Sequence, residues 1–115
     1  MNNIEELPPK KQKALNFFLK QLLNSSAGKE VEKIFLFGSL AWGKPDKESD
    51  IDILVFSRKR RPVERVIDEL TLDASLKYGE SIEPLIYPSI KAKTYQSPLV
   101  LKVIKYGKEL YTRNG

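Results

Sequence analysis

Phe35-Leu36-Phe37-Gly38-Ser39 and, after ten intervening residues, Asp50-Ile51-Asp52-Ile53-Leu54-Val55 decide how this chain is read. The first piece reads as a buried strand ending in a Gly-Ser turn, the second as a strand that opens with two carboxylates. Side chains alternate along a strand, so Asp50 and Asp52 project from one face while Ile51, Ile53 and Val55 take the other. At a rise of about 3.3 Å per residue, the two flexible carboxylates lie close enough to converge on shared cations. A Gly-Ser turn at the end of an apolar strand offers N–H groups and a hydroxyl to phosphate oxygens. A phosphate cradle beside paired carboxylates is what a magnesium–nucleotide site needs.

The composition restricts the chemistry further. The 115 residues suit a single domain with one core, spanning 1–115. The chain has neither cysteine nor histidine, which excludes disulfides, thiolate metal sites and the commonest general base. Catalysis must then rest on carboxylates, hydroxyls, lysines or a hard, oxygen-ligated cation such as Mg²⁺. No apolar run approaches the ~18 residues of a membrane span, and no secretory leader opens the sequence; the expectation is a cytoplasmic protein without membrane contact. A formal charge of +5 suits an anionic ligand or partner.

Around the opening stretch the chain divides into short elements. Residues 1–7 read as polar and loose. Pro8-Pro9 starts a helix over about 8–25, with Leu15, Phe18, Leu19 and Leu22 on one stripe and Phe17 nearly opposite it, as a scattered exposed aromatic or a contact with another chain. Val31 to Phe37 is an interior strand, and Leu40-Ala41-Trp42 makes one helical turn. After the strand Asp50 to Phe56 comes a basic connector, Arg58-Lys59-Arg60-Arg61, then a helix with Val63, Val66, Ile67, Leu70 and Ala74 inward and Gly79 at its end. Ser81 to Tyr87 is a third strand, with Pro84 marking an edge. Residues 89–96 read ambiguously, with room for one short helix. Ser97-Pro98 caps a helix whose apolar face is Val100, Val103 and Ile104, and Lys108 to Thr112 forms a last strand. This order predicts an α+β (α/β-like) fold: a small mixed β-sheet of three to five strands packed with helices.

Two aspartates rarely complete a two-metal site, so a third carboxylate is required. Glu83 is the candidate, because it stands in an extended, apolar segment where a charge needs a reason. If the third strand lies beside the second in matching register, Glu83 joins Asp50 and Asp52 on one face, and two Mg²⁺ ions have their ligands. The other reading of Glu83 is an exposed edge charge that keeps the strand from aggregating.

Gly38-Ser39, ten residues, then Asp50-x-Asp52, set between Ile34–Phe37 and Ile53-Leu54-Val55, resembles the minimal nucleotidyltransferases of the DNA polymerase β superfamily. The resemblance covers most of 31–111, the expected catalytic core, including the Ser97 to Tyr111 tail. It implies the polymerase β-like nucleotidyltransferase fold. It further implies that Gly38 and Ser39 bind the triphosphate of ATP and that Asp50, Asp52 and Glu83 are the catalytic ligands of Mg²⁺. Small members of the family are often antitoxins whose partner is an all-helical ribonuclease toxin of the HEPN type. The implied activity is transfer of AMP from ATP to a tyrosine hydroxyl on that toxin. Many relatives carry arginines just after the Gly-Ser pair, where this chain has Leu40 and Trp42; Lys44 and Lys47 are the nearest cations in sequence.

Two other readings stay open. One is a catalytically weak or inactive antitoxin that acts by binding and masking its partner. The other is a nucleotidyltransferase with an RNA or small-molecule acceptor, RNA meeting the run Arg58 to Arg61. Trp42 reads as packing before it reads as a platform for the base.

Overall fold

In the computed structural model, residues 4–43, 47–89 and 97–113 are described. Helix α1 (Pro9–Asn24) and a short 3₁₀ turn (Gly28–Glu30) precede strand β1 (Val31–Phe37). A single helical turn α2 (Ser39–Trp42), strand β2 (Ile51–Ser57), helix α3 (Arg61–Tyr78) and strand β3 (Ile82–Pro88) follow. Helix α4 (Pro98–Tyr106) and strand β4 (Lys108–Thr112) complete the order. The strands form one mixed sheet in the order β3-β2-β1-β4, so the fold is α+β as expected, with four strands.

Strand β1 runs antiparallel to both β2 and β4, whereas β2 and β3 are parallel. A parallel pair cannot be joined by a tight turn, and α3 supplies the crossover. Gly79 ends α3 in the left-handed conformation at φ 68°, its N–H donating to the Ser75 carbonyl at 2.9 Å. Pro84 lies on the edge strand β3, where its missing N–H faces no further partner strand.

Alternation along the strands creates two apolar faces. Ile34 and Leu36 of β1 with Ile51, Ile53 and Val55 of β2 pack against Leu15, Phe18, Leu19 and Leu22 of α1 and against Val63, Ile67, Leu70 and Ala74 of α3. On the opposite face Phe35, Leu54 and Phe56 meet Val100 and Val103 of α4. Among the described residues no helix is long and apolar enough to cross a membrane.

Three expectations are corrected. Residues 4–7 are not loose: Ile4 and Leu7 are 3% and 2% exposed and belong to the main core. They are held by a turn in which the Leu7 N–H donates to the Ile4 carbonyl, and by the Gln12 amide, which donates to the carbonyls of Glu5 and Leu7. Phe17 is not a scattered exposed aromatic but half-buried. Its ring packs 5.7 Å from that of Tyr78 on α3, under the Lys77 ammonium. Ile104 is exposed, since α4 meets the sheet through Val100 and Val103 alone of its predicted apolar face. The helix considered for 89–96 lies almost wholly outside the described residues; Ser89 itself is buried and donates to the Glu32 carboxylate.

Candidate active site

The sheet brings three chain segments to one end. Asp52 is the register partner of Phe37 on one side and of Glu83 on the other. Directly paired residues on parallel strands share a face, so the Asp52 and Glu83 carboxylates stand side by side. Asp50, predicted to open the strand, instead immediately precedes β2 and lies two residues from Asp52. The condition for Glu83 to join the aspartates, a neighbouring strand in matching register, is met.

Gly38 links the end of β1 to this acidic end. Its backbone, at φ 75° and ψ −157°, occupies a region open essentially to glycine alone. A Cβ there would lie 2.3 Å from Asp52 Oδ2. The glycine thus lets the turn approach the carboxylate more closely than any side chain permits. Ser39, exposed, opens α2, whose Ala41 and Trp42 N–H groups both donate to the Gly38 carbonyl at 3.0 Å.

Electrostatics agree with this clustering. The Asp52 carboxyl is pushed above the usual aspartate range, first by desolvation and then by the negative charges of Asp50 and Glu83. Asp50 and Glu83 are exposed and Asp52 is half-buried; the Ser81 hydroxyl donates to Glu83 Oε1 at 3.4 Å. Among the described residues no three acidic, His or Cys side chains are already drawn together as a finished metal cage. The donor set nevertheless fits Mg²⁺, being all oxygen, and the excess negative charge felt by Asp52 is what a divalent cation relieves.

The departures from the nucleotidyltransferase pattern acquire a physical account. Leu40 is 1% exposed and sits in the main core, so its position points into the protein and away from solvent. Trp42, 37% exposed, packs near Phe37 with ring centroids 6.1 Å apart. Above its ring lies the ammonium of Lys102 on α4, 4.6 Å from the centroid. Lys102 therefore brings positive charge beside the Gly-Ser turn, a contact invisible in a sequence where the two residues are far apart. Lys47 is exposed, and Lys44 lies outside the described residues.

Lys11 is a second residue near the site that the sequence pattern does not signal. It is 2% exposed on α1, with its Nζ 2.5 Å from both the Ser49 carbonyl and Glu80 Oε1. A hollow of about 400 Å³ beside this pair is lined by Pro8, Pro9, Lys10, Lys11, Lys47 and Glu80, and by none of the three acids. The basic connector turns out to be partly structural: Arg58 donates to the Lys29 carbonyl and pairs with Glu30, and Arg60 donates to the Ile86 carbonyl and pairs with Glu64.

The model of the polymerase β nucleotidyltransferase domain matches residues 19–115. The chain belongs to this nucleotidyltransferase family. Two relatives come from Methanocaldococcus jannaschii and are provisionally named protein adenylyltransferases. MJ0141 is 32% identical over 83 residues, covering 70% of this chain and 80% of its own. MJ1305 is 30% identical over 112 residues, covering 90% and 76%. Among solved structures, a variant of the toxin–antitoxin pair MntA–HpeT superposes with a TM-score of 0.53 at 20% identity, over 90% of this chain and 73% of that one. A second variant of the same pair gives 0.50 at 18% identity, over 84% and 72%. At those identities the likeness is one of fold, and it agrees with the polymerase β-like nucleotidyltransferase architecture.

Proposed function

We propose that this nucleotidyltransferase is Mg²⁺-dependent, moves AMP from ATP to a tyrosine hydroxyl of a partner protein, and serves as the antitoxin of a toxin–antitoxin pair in the cytoplasm. The observation that carries the reading is the register of β3 on β2, which sets Glu83 level with Asp52 and next to Asp50. In this reading Asp50, Asp52 and Glu83 hold Mg²⁺, two ions between them, and the metal supplies charge neutralisation for displacement at the α-phosphorus. Gly38 and Ser39 hold the β and γ phosphates, with Lys102 adding positive charge. The acceptor oxygen bonds to the α-phosphorus as the bond to pyrophosphate breaks. The hydroxyl proton passes to a carboxylate of the trio, of which Glu83 is exposed.

Support for a protein acceptor comes from the names of the two archaeal relatives. Exposed Leu85 on β3 and Leu101 and Ile104 on α4 offer apolar surface near the same sheet face, as a docked protein needs. Support for a toxin as that protein comes from the MntA–HpeT pair, and the family resemblance favours an all-helical HEPN-type ribonuclease as the partner. An RNA acceptor is less favoured. Arg58 to Arg61 follow the far end of β2, about 25 Å along the strand from Asp50, and two of the arginines are engaged within the fold.

The test is incubation with labelled ATP, Mg²⁺ and the product of the adjacent gene. Label should appear on that protein, vanish with Asp52→Ala, and fail to appear when its acceptor tyrosines are changed to phenylalanine. Absence of label on a folded partner would sink the catalytic reading. If Asp52→Ala protein still neutralised the partner's toxicity, masking would replace AMP transfer as the mode of action; Leu40 and Trp42, standing where arginines are frequent, motivate that comparison.

A further inference from the structure

We propose that Lys11 is a positioning residue, whose buried ammonium ties together the two chain segments that lead into the acidic strands and so sets the spacing of Asp50 and Asp52 against Glu83. The inference rests on the reading of those three carboxylates as the metal-binding trio. Lys11 Nζ donates at 2.5 Å to the carbonyl of Ser49, the residue before Asp50, and at 2.5 Å to Glu80, three residues before Glu83. Just downstream of this bridge, the Ile51 N–H donates to the Ser81 carbonyl at 2.8 Å, where β2 and β3 begin to pair. One cation thereby joins α1 to both entrances of the site.

Stability alone does not account for such a residue. Lysine is almost never fully buried unless paired, and a buried ion pair is commonly no better for stability than well-packed apolar side chains. The neighbouring positions of the same helix face, Ala14, Leu15 and Phe18, are apolar and fully buried. What an apolar residue cannot do is bond a specific carbonyl and a specific carboxylate at once. Side chains that orient metal ligands from behind act in this way, and their loss costs about 10–100-fold in metal affinity or activity. Lys11 also lies ahead of residue 19, where the match to the family domain begins, so the bridge is carried by the part of α1 outside that match.

The decisive variant is the double change Lys11→Met with Glu80→Leu, which removes both charges and leaves none buried alone. Three measurements compare it with the unaltered chain: thermal unfolding, amide hydrogen exchange, and affinity for Mn²⁺ added alone as the metal probe. A near-unchanged melting midpoint is expected, with exchange at Ile51 accelerated about tenfold while Leu54 in mid-strand is unaffected, and Mn²⁺ affinity reduced about tenfold. The kcat for AMP transfer should fall with little change in KM for ATP. A double variant that melts normally and keeps both its Ile51 protection and its Mn²⁺ affinity would overturn the proposal.

Should the double variant unfold, Lys11→Arg decides instead. The longer planar guanidinium holds the two acceptors at a different spacing, and Mn²⁺ affinity should drop at least threefold in a folded protein. Unchanged affinity would overturn the proposal. If the unaltered chain binds no Mn²⁺, the trio reading fails, and the Ile51 exchange arm still decides whether Lys11 holds the strand entrances.

Discussion

Asp52 is the residue on which the site's charge problem centres. Burial and the charges of Asp50 and Glu83 raise its folded pKa above the unfolded value of about 3.9. The native state then holds the Asp52 proton more firmly than the unfolded chain. Stability from this group therefore falls as pH rises from about 3.9 through the folded value, and the ionised carboxylate remains a net cost above it. Metal-free Asp52→Asn should accordingly melt higher than the parent at pH 7, with the gap closing at about pH 3, although AMP transfer is lost. Parallel thermal scans at the two pH values check this; a less stable Asp52→Asn at neutral pH would contradict the penalty that burial and the two neighbouring charges place on the ionised carboxylate. Gly38→Ala tests the neighbouring contact. Its strained backbone and the Cβ set against Asp52 predict a loss of about 1–3 kcal/mol in denaturant unfolding, together with impaired transfer. The Gly-Ser and Asp-x-Asp residues were legible because their spacing is local. The burial of Lys11 was not, because its partner Glu80 is 69 residues away and a lysine on a helix is ordinarily solvated.

At the scale of elements, helices and strands announced themselves wherever their own apolar periodicity decided their placement. Helix α1, strand β1 and strand β4 fall within a residue of expectation, and the capping of α4 by Ser97 is present, the Val100 N–H donating to its hydroxyl at 3.5 Å. Ser97→Ala should cost about 0.5–1 kcal/mol, at the low end for a cap, because that bond is long. The measurement is equilibrium unfolding, and no loss would mean that Pro98 alone fixes the start of the helix. Periodicity failed where tertiary contact chose the face. Val100 and Val103 reach the sheet while Ile104 remains exposed, and Ile4 and Leu7 are covered by a docking that no repeat in their sequence signals. Strand direction is signalled by the helix read between the second and third strands: β3 runs parallel to β2 because α3 carries the chain back along the sheet.

For the molecule as a whole, α1 is part of the core, despite standing largely ahead of the family match. Leu15 and Phe18 are fully buried against the sheet. A chain beginning at residue 19 should lose its cooperative melt and its near-ultraviolet circular dichroism; a sharp transition in that truncated protein would show α1 to be an accessory. The acidic trio comes from separate strands, and the turn that faces it from a third. These groups meet only when the sheet is assembled, so under the proposed function Mg²⁺–nucleotide would have nothing equivalent to bind in the unfolded chain. Ligand and fold are then thermodynamically linked: nucleotide at a hundred times its dissociation constant adds about 2.7 kcal/mol to stability by mass action alone. On the proposed function, the persistence of this protein against unfolding and proteolysis becomes a function of how much metal–nucleotide surrounds it.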